Sequence, residues 1–555
     1  MTQEVEHVRP PRRQSTITVR DATYDLLRAY GLTTIFGNPG STEQPFLEHS
    51  PSDFRYVLGL QEASAIAMAD GFAQASRGPA LVNLHTAAGV GNAMGNLLTA
   101  FQNKTPLIVT AGQQVREMLL LEPYLTNVDP TMLPRPWVKW AYEPVRPRDV
   151  PAAFMRAIAT ALQPPSGPVF LSLPLDDWDR PSDRAAVVRT VATRVAPDLA
   201  RLREFAEAIE RASSPVLIYG AAVARSRGWE EATALAETLG APVWAAPACE
   251  RTPFAEDHTL YRGALPYAMG PLSEKLAGHD LALVVGAPVF RYYPNLPGPY
   301  VPPGMRLLHV SDDPAETARA PLGDSLVGDA ALSLAALTEM LTGQRRATQK
   351  GRAPLDRVTT PPASAKGSTG ARPTAAEVFA ALNEVRPADA VLVDESPSSH
   401  AELQAAWPIT EPDTYYTFAS GALGWGLPAS VGIALAERDS GRNRPVVTMI
   451  GDGSFQYSVQ SIWSAAQLRL PLLIVVMRNG DYTILKSFAK VEQTPGVPGL
   501  DLPGLDLVSI ADGYGCDAAR LEDLDAIKRA AAEAWTKDVP TILEVPITPQ
   551  IPPLV

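Results

Sequence analysis

The chain of 555 residues is too long for one domain, because a domain usually holds about 100–200 residues, so we expect three or four. Hydrophobic residues make up 46% and charged residues 19% of the sequence, a composition that builds folded cores and excludes a wholly disordered protein. The 48 lysines and arginines against 60 aspartates and glutamates leave a net charge of −12, which argues against a nucleic-acid-binding surface.

The N-terminal third of the chain predicts a first domain. Residues 1–14 are rich in arginine and proline and no apolar run follows them, so we predict a disordered lead-in rather than a signal peptide. From residue 15 to residue 183, short apolar runs alternate with alanine-rich stretches. This alternation is typical of βαβ units and predicts a parallel sheet covered by helices on both faces. The predicted strands are the runs 33–36, 54–60, 80–84, 107–110 and 168–173.

Two later segments, residues 196–343 and 373–549, repeat this alternation. Between them, residues 344–372 carry seven Lys or Arg, one Asp and few apolar side chains, which predicts a solvated linker. The fold class is therefore predicted as α/β, with three doubly wound domains and a parallel sheet in each. Strands are predicted at 216–219, 242–245, 281–285 and 306–310, and at 390–393, 446–450, 472–477 and 541–545.

Cysteine content and hydropathy indicate the cellular compartment. The two cysteines, Cys249 and Cys516, lie far apart in the sequence, which favours reduced thiols over a disulfide framework. No apolar run reaches the roughly 18 residues that a membrane-spanning helix needs. We therefore expect a cytoplasmic protein that binds neither membranes nor nucleic acids.

Polar residues follow three predicted strands of the first domain. Ser41 comes after the first strand, Glu62 after the second and His85 after the third. Ligands of open α/β sheets bind beyond the carboxyl ends of the strands, and a hydroxyl, a carboxylate and an imidazole there can form an acid–base set. Each residue also has an ordinary structural explanation: Ser41 as a helix N-cap, Glu62 in a first helical turn and His85 as a hydrogen-bonded core residue.

The sharpest motif is Gly-Asp-Gly-Ser at residues 451–454, directly after the strand predicted at 446–450. Helical spacing of the apolar residues that follow puts these glycines at a strand-to-helix turn, where backbone N–H groups can bind phosphate. Asp452 adds a carboxylate, and Asn479-Gly480-Asp481 follows the next predicted strand. Adjacent strand ends could bring these oxygens to one Mg²⁺ whose shell a diphosphate completes. The alternative is that Gly-Asp-Gly is only a tight turn.

Together these residues resemble the thiamine diphosphate-dependent 2-oxo acid decarboxylases, and within that family the benzoylformate decarboxylases. The likeness extends over residues 18–545, interrupted mainly at the linker. It implies a pyrimidine-binding domain at residues 15–183, a central domain at 196–343 and a diphosphate- and magnesium-binding domain at 373–549. It also implies that the cofactor lies between two subunits, so that a homodimer is the minimum active unit and a homotetramer is usual. The matching segments are 36–41, 61–63, 83–85, 109–114, 286–292 and 421–428.

The resemblance implies a role for individual residues. The catalytic residues would be Ser41, Glu62, His85 and Tyr293. The cofactor contacts would be Asn38, Pro39, Ser398, Gly421, Leu423, Gly451, Gly453 and Ser454. The magnesium ligands would be Asp452, Asn479 and the backbone of Asp481, and the substrate pocket would contain Leu125, Thr417 and Ile484.

The family's chemistry implies what these residues do. Glu62 would hydrogen-bond N1′ of the aminopyrimidine and help its exocyclic amine to remove the C2 proton of the thiazolium. Leu423 would wedge between the two rings and keep the cofactor bent, while the carbonyl of Gly421 accepts from the exocyclic amine. Ser41 and His85 would orient the substrate carboxylate and handle protons. The resemblance therefore implies non-oxidative decarboxylation of an aromatic or bulky 2-oxo acid to an aldehyde and CO₂.

Tyr293 stands where the benzoylformate decarboxylases have a second catalytic histidine. A phenol is a weaker acid than an imidazolium near neutral pH, which puts proton delivery to the reaction intermediate in question. This difference motivates the alternative function, a carboligase that forms 2-hydroxy ketones. A regulatory protein that binds the cofactor without catalysis is a further alternative, which the intact Glu62, His85 and Asp452 argue against. A flavin in the central domain is also conceivable, although no phosphate-binding signature there supports it.

Overall fold

The computed structural model describes residues 17–182, 187–345 and 372–554. The lead-in predicted at 1–14 and nearly all of the linker predicted at 344–372 lie outside these described residues. Three sheets of six strands each organise the described chain, and every strand pair in them is parallel. The predicted α/β class with three parallel sheets is therefore confirmed.

Each sheet is formed by consecutive strands of the chain. The first sheet contains β1 (Thr34–Gly37), β2 (Arg55–Leu58), β3 (Ala80–Leu84), β4 (Leu107–Gln113), β5 (Ala141–Tyr142) and β6 (Val169–Pro174). The second contains β7 (Pro215–Tyr219), β8 (Val243–Ala245), β9 (Tyr261–Ala264), β10 (Leu281–Val285), β11 (Arg306–Ser311) and β12 (Asp324–Val327). The third contains β13 (Val391–Glu395), β14 (Tyr415–Tyr416), β15 (Val446–Gly451), β16 (Leu472–Arg478), β17 (Asp517–Arg520) and β18 (Thr541–Pro546).

Helices alternate with the strands in all three units. The first unit has α1 (Val19–Ala29), α2 (Gln44–Leu47), α3 (Glu62–Ser76), α4 (Thr86–Gln102) and α5 (Val150–Leu162). The middle unit has α6 (Leu199–Arg211), α7 (Ala221–Arg225), α8 (Trp229–Leu239), α9 (Met269–Lys275), α10 (Pro314–Arg319) and α11 (Ala330–Arg345). The third unit has α12 (Ala375–Val385), α13 (His400–Ala406), α14 (Gly426–Asp439), α15 (Asp452–Tyr457), α16 (Ser461–Gln467), α17 (Thr483–Val491), α18 (Leu507–Gly513) and α19 (Leu524–Ala534). No helix in the described ranges has both the length and the hydropathy to span a membrane.

The first and third sheets have the same strand order, β2-β1-β3-β4-β6-β5 and β14-β13-β15-β16-β18-β17, whereas the middle sheet runs β12-β11-β10-β7-β8-β9. In the first and third sheets the order reverses beside β1 and β13, respectively. Such a reversal is where open α/β sheets bind ligands, at the carboxyl ends of the strands. The topology therefore gives the first and third units a potential ligand-binding edge each.

All the strands predicted from apolar runs overlap strands of the structure, but β5, β9, β12, β14 and β17 were not predicted. Each of these five strands lies at the edge of its sheet and pairs with only one neighbouring strand. An edge strand can be short and partly exposed, as in Asp324–Val327 and Asp517–Arg520, so it needs no apolar run. Apolar periodicity therefore detected the interior of the sheets and missed most of their edges.

The helix predicted after Gly-Asp-Gly-Ser is interrupted, because α15 ends at Tyr457 and α16 begins at Ser461. At the break, the hydroxyl of Ser458 donates to the carbonyl oxygen of Gly424 at 2.8 Å. A Cβ on Gly424 would lie 2.7 Å from the Cβ of Tyr457, so the two segments pack closely. The break between α15 and α16 therefore places Ser458 where its hydrogen bond fixes the loop that precedes α14.

The first and third units share one hydrophobic core, at whose centre α3 packs against α14. A Cβ on Gly71 would lie 2.1 Å from the carbonyl oxygen of Ala429, and one on Gly432 would lie 1.9 Å from that of Met68. Glycine at both positions lets the two helix backbones approach, since any side chain would collide with backbone atoms. This contact joins the first and third sheets within one chain.

Glu256 connects the middle unit to the third. Its carboxylate accepts hydrogen bonds from the backbone N–H of Ile409 at 2.8 Å and from the hydroxyl of Tyr261 at 3.3 Å. Burial raises the pKa of Glu256 from 4.5 to about 7. The folded protein therefore binds a proton that the unfolded chain releases above pH 4.5. This stability contribution is fully present below pH 4.5 and is lost as the pH rises through 7.

Substituting Glu256 with Gln should remove this pH dependence, because the neutral amide can accept from the N–H of Ile409 and donate to the hydroxyl oxygen of Tyr261. We expect similar melting temperatures for the variant and the wild type at pH 4.5. At pH 8 we expect the variant to be more stable, by up to about 3 kcal/mol. Thermal denaturation at both pH values measures the difference, with Glu48→Gln, at an exposed position, as the control. A difference for Glu256→Gln that is the same at both pH values would contradict the assignment.

Candidate active site

Glu62 begins α3, beyond the carboxyl end of β2. The side chain of Gln61 caps the helix by accepting hydrogen bonds from two free backbone N–H groups. Glu62 is 7% exposed, and its two carboxylate oxygens accept from the side-chain amides of Asn38 at 3.3 Å and Asn92 at 3.0 Å. The two amides hold the carboxylate in one orientation.

His85 precedes α4 and is held by a buried carboxylate. Its Nδ1 lies 2.8 Å from Oε2 of Glu43, whose side chain is 1% exposed. Glu43 also accepts from the backbone N–H groups of Gly40 at 2.9 Å and Gly112 at 2.8 Å, and from the hydroxyl of Thr42 at 2.7 Å. A Cβ on Gly40 would lie 2.1 Å from Nδ1 of His85, so glycine is required beside the ring. Because Nδ1 is occupied, Nε2 is the ring nitrogen left for a ligand.

The remaining predicted residues of the first unit lie around this pair. Ser41 and Pro39 are exposed in the turn between β1 and α2, and Ser41 is not the N-cap of α2, which is Glu43. Leu125 is 38% exposed and lies two residues before Asn127, whose amide donates to the carbonyl of Gly112 at 2.7 Å. The structure therefore brings Asn38 to Glu62 and anchors the segment with Leu125 near Glu43.

Two residues of this arrangement, Glu43 and Asn92, were not predicted. Glu43 lies two residues beyond Ser41 in the same strand-end segment, so its position was a signal that could have drawn attention to it. Asn92 lies inside α4, away from any strand end, and its pairing with Glu62 depends on how α3 and α4 pack. We call Asn38, Glu62, Glu43 and His85 the Glu62 set.

A cavity lies at the carboxyl ends of β13, β15 and β16. Gly451 pairs with Met477 in the parallel register, so the segments that follow β15 and β16 begin side by side. The residues predicted for the cofactor, metal and substrate that line this cavity are Ser398, Leu423, Gly451, Asp452, Gly453, Ser454, Asn479, Asp481 and Ile484. The cavity is thus formed where the topology predicts a ligand-binding edge.

Asp452 is 2% exposed at the start of α15. Its Oδ1 accepts from the backbone N–H of Gly453 at 2.9 Å, and its Oδ2 accepts from that of Gly480 at 2.8 Å. Burial raises the pKa of Asp452, because a carboxylate charge is costly away from water. The second hydrogen bond ties the segment after β15 to the segment after β16.

Asn479 and Asp481 present different groups. The side-chain oxygen of Asn479 accepts from the backbone N–H of Asp481 at 3.1 Å. The carboxylate of Asp481 pairs with Lys486 at 2.7 Å and also accepts from the hydroxyl of Thr483. The side chain of Asp481 is therefore engaged, which leaves its backbone carbonyl as the group for a metal. We call Asp452, Asn479 and this carbonyl the Asp452 set.

The donors of the Asp452 set fit a magnesium–diphosphate pair. They are a carboxylate, an amide and a carbonyl, which are the oxygen ligands that Mg²⁺ prefers. Within the described ranges, no group of three or more His, Cys, Asp or Glu is placed to hold a metal ion. A Cβ on Gly453 would lie 2.5 Å from the ring of Tyr482, so glycine keeps the backbone tight against the neighbouring segment.

Leu423 reaches the cavity from a loop whose backbone is held on both sides. Glu395 accepts from the N–H of Gly424 at 2.6 Å, and the carbonyl of Gly424 accepts from Ser458 at 2.8 Å. Gly421 and Gly424 have φ angles of +73° and +102°, a region that favours glycine. Burial raises the pKa of Glu395 to about 7. The loop therefore holds Leu423 in a defined position.

Two further residues predicted for this region have different surroundings. The backbone N–H of Ile484 donates to the hydroxyl of Ser398 at 3.1 Å, which ties the start of α17 to the cavity. Thr417 is not part of the cavity lining, and its hydroxyl donates to the carbonyl of Asp394 at 2.7 Å. The structure therefore brings Ile484, but not Thr417, into the cavity wall.

Tyr293 lies in the middle unit, after β10, and its side chain is 64% exposed. Its ring centroid is 4.8 Å from that of Phe488 on α17. Phe488 follows Ile484 by four residues, so the two side chains lie on the same face of the helix. Tyr293 is thus placed beside the helix that borders the cavity, with most of its side chain in contact with solvent.

The Glu62 set and the Asp452 set do not form a single closed site within the described chain. All the residues that line the cavity belong to the third unit, whereas Glu62 and His85 bond to residues of the first. The side chain of Asn96 links the two regions by donating to the carbonyls of Ala63 at 2.9 Å and Gly424 at 3.1 Å. One chain therefore carries two separate groups of polar residues, one in the first unit and one in the third.

Three family models match the chain in order. The model for the N-terminal TPP binding domain of thiamine pyrophosphate enzymes matches residues 17–129. The model for the central domain of these enzymes matches residues 202–337, and that for the C-terminal TPP binding domain matches residues 398–545.

Relatives of similar length extend these matches. A benzoylformate decarboxylase of Pseudomonas aeruginosa is 46% identical, over 95% of this chain and 98% of that protein. The crystal structure of benzoylformate decarboxylase from Polynucleobacter necessarius has a TM-score of 0.93 and 53% identity, over 97% of this chain and 99% of that one. A thiamine diphosphate-dependent 4-hydroxybenzoylformate decarboxylase of Rhodococcus jostii has a TM-score of 0.91 and 43% identity, over 96% of this chain and 100% of that one.

Proposed function

The chain belongs to the thiamine pyrophosphate enzymes, and from this membership we propose that it decarboxylates an aromatic or bulky 2-oxo acid of the benzoylformate type to an aldehyde and CO₂. The observation that carries the proposal is full-length similarity to enzymes named for benzoylformate and 4-hydroxybenzoylformate, combined with the Glu62 and Asp452 sets in this chain. The proposed enzyme is therefore a thiamine diphosphate-dependent carboxy-lyase.

Thiamine diphosphate is the cofactor of this family, and we propose that Mg²⁺ ties its diphosphate to the Asp452 set. When bound, the cofactor supplies a nucleophilic carbon and accepts the electron pair that CO₂ leaves behind. Leu423 and the carbonyl of Gly421 would position the cofactor's rings. The groups that would hold the diphosphate are Ser398, Ser454 and the backbone of Gly451 and Gly453.

The Glu62 set would supply the acid–base groups. Glu62, held by Asn38 and Asn92, would hydrogen-bond the pyrimidine ring nitrogen. Glu43 would keep Nδ1 of His85 occupied and so direct Nε2 towards the substrate. Ser41, exposed on the neighbouring turn, would contact the substrate carboxylate.

We propose that a homodimer is the minimum active unit and that a homotetramer forms. A second chain would bring its Glu62 set to the cavity of the first, and the separation of the two sets within one chain supports this arrangement. The segment after β4 supports a larger assembly, since Leu120, Leu121 and Tyr124 are 93%, 74% and 90% exposed in the single chain. Large apolar side chains exposed together commonly mark a protein–protein interface. A cytoplasmic location agrees with the free thiols of Cys249 and Cys516.

Carboligation is the second candidate, and Tyr293 is the observation that favours it. Its ring packs against Phe488, on the helix that also carries the cavity residue Ile484. A phenol there would protonate a carbanionic intermediate more slowly than an imidazolium, which would give an acceptor aldehyde time to react. The alternative is that Tyr293 only lines the pocket while His85 or water delivers the proton.

One experiment tests both functions. The wild type and Tyr293→His are incubated with a panel of aryl and branched 2-oxo acids, with and without an acceptor aldehyde, and every product is separated by chiral chromatography. We expect the enzyme to release CO₂ from benzoylformate. In the wild type, aldehyde should be released later than CO₂, or the added acceptor aldehyde should divert the product into a 2-hydroxy ketone. Tyr293→His should shift the balance towards free aldehyde.

The outcomes separate the two assignments. Tyr300→His, at another exposed tyrosine of the middle unit, is the control and should leave the product ratio unchanged. No CO₂ from any 2-oxo acid would contradict the proposed decarboxylation. Identical product ratios and turnover in Tyr293→His and the wild type would mean that Tyr293 has no part in protonation.

A further inference from the structure

Five arginines lie close together where the first, middle and third units meet. The charges of Arg251, Arg227 and Arg442 all lower the pKa of Arg77, and Arg444 shares a carboxylate with Arg442. Arg77 ends α3 in the first unit, and Arg227 and Arg251 belong to the middle unit. Arg442 and Arg444 follow α14 in the third unit. None of them lines the cavity with the Asp452 set. We call these five residues the arginine cluster.

The carboxylate of Asp413 joins the middle of this cluster. One of its oxygens pairs with Arg77 and the other with Arg251. The guanidinium of Arg251 also lies over the ring of Tyr416, 5.1 Å from the centroid. Arg251 is 5% exposed, and its Nε has no hydrogen-bond partner among the described residues. The hydroxyl of Tyr416 is also buried without a partner among the described residues, so an unpaired donor and an unpaired acceptor lie together in the middle of the cluster.

Arg442 and Arg444 share the buried carboxylate of Glu437. Arg442 bonds it at 2.7 Å and Arg444 at 2.8 Å. Arg442 also donates to the carbonyl of Ala75, two residues before Arg77, at 2.9 Å. The side chains of Arg442 and Arg77 remain 38% and 31% exposed. The cluster therefore combines one buried guanidinium group, that of Arg251, with the partly exposed groups of Arg442 and Arg77.

Positive charge exceeds negative charge at this junction. The carboxylates of Asp413 and Glu437 pair with the cluster, and that of Asp389 helps to raise the pKa of Arg444. Glu250 acts on Arg251 as well, but it is itself paired with a further arginine, Arg225. Burial lowers the pKa of Arg77, and the charges of its arginine neighbours lower it further. An excess of like charge at a domain junction is unexpected in a chain whose net charge is −12.

We propose that the arginine cluster binds a tetrahedral oxyanion, either free phosphate or the phosphate group of a small molecule. Guanidinium groups offer paired N–H donors in a plane, which suit the several oxygens of such an anion. Its donors come from the first, middle and third units, so the bound anion holds the three units together.

A purely structural role is the competing explanation. Arg77 and Arg442 lie at the carboxyl ends of α3 and α14, where cations interact favourably with the helix dipole and the last carbonyls. In that case the cluster needs no ligand, and an oxyanion would act only as a general salt. If the cluster binds an oxyanion, stabilisation by that anion should reach a plateau and should depend on Arg227. If the cluster is purely structural, neither is expected. Arg227 suits the test because it has no ion pair within 4 Å in the described structure.

The test uses the holoenzyme saturated with Mg²⁺ and thiamine diphosphate, so that the cofactor occupies its own phosphate site. Sulfate replaces chloride at constant ionic strength, and the melting temperature is recorded. Arg227→Gln removes one guanidinium without breaking an observed salt bridge, and Arg203→Gln, on the exposed face of α6, is the matched control. The same titration is repeated with inorganic phosphate and with glycerol 2-phosphate in place of sulfate.

We expect the melting temperature of the wild type and of Arg203→Gln to rise to a plateau with sulfate. Arg227→Gln should need about tenfold more sulfate, the effect of losing one hydrogen bond to a charged group. Tighter binding of glycerol 2-phosphate than of phosphate would identify a phosphorylated small molecule as the ligand, and the reverse would identify free phosphate. A rise without a plateau, or equal half-saturation in Arg227→Gln and the wild type, would overturn the proposal.

Discussion

Substituting Asp452 with Ala is expected to lower the affinity for thiamine diphosphate by more than about a hundredfold. Loss of an outer partner of a metal ligand already costs about 10–100-fold in metal affinity, and Asp452 is assigned as a direct ligand. The substitution also removes the acceptor for the N–H groups of Gly453 and Gly480, which hold the two strand ends together. Both losses act on the diphosphate end of the cofactor.

Calorimetric titration of thiamine diphosphate in the presence of Mg²⁺ measures this effect. Asp512→Ala removes an exposed carboxylate of the same unit and should bind the cofactor as the wild type does. Circular dichroism and thermal denaturation establish that both variants are folded. Unchanged affinity in Asp452→Ala would exclude Asp452 as a metal ligand.

Substituting Glu62 with Gln is expected to leave the cofactor bound but to slow exchange of its C2 proton by about 10²–10⁴-fold. That is the range over which a positioned acid or base accelerates proton transfer. The diphosphate would be held by the Asp452 set, which this substitution does not touch. Affinity and proton exchange should therefore respond differently in the Glu62 and Asp452 variants.

Hydrogen–deuterium exchange at C2, followed by NMR after rapid quenching, measures the rate. Glu48→Gln, an exposed glutamate of the same unit, is the control and should exchange at the wild-type rate. If Glu62→Gln also exchanged at the wild-type rate, another group would have to activate the cofactor.

Apolar runs were sufficient to predict the class of the fold because the interior strands of parallel sheets are buried on both faces. Val446–Gly451 is apolar except for the buried Thr448, and Leu472–Arg478 is apolar up to its last residue, for this reason. Tyr415–Tyr416 and Ala141–Tyr142 have only two residues each and gave no detectable pattern. Edge strands of this kind are determined by pairing with a neighbour, which is a tertiary contact.

Strand-end motifs predicted the Asp452 set because its residues come from two adjacent strands in register. Strand-end motifs did not predict Asn92, because it lies within a helix and contacts Glu62 only through the packing of α3 on α4. The position of Tyr293 against Phe488 likewise depends on how the middle and third units meet. Sequence patterns thus predicted which strand-end residues of a single sheet lie together, but they did not predict contacts between elements, such as those of Asn92 with Glu62 and of Tyr293 with Phe488.

Two defective alleles of the gene for this protein could complement each other. In the proposed dimer, each chain contributes its Glu62 set to one cavity and its Asp452 set to the other. A chain with Glu62→Gln and a chain with Asp452→Ala would then rebuild one intact centre in every mixed dimer, while the other centre would carry both defects. Random pairing of the two inactive products in one cell would restore roughly a quarter of the normal activity.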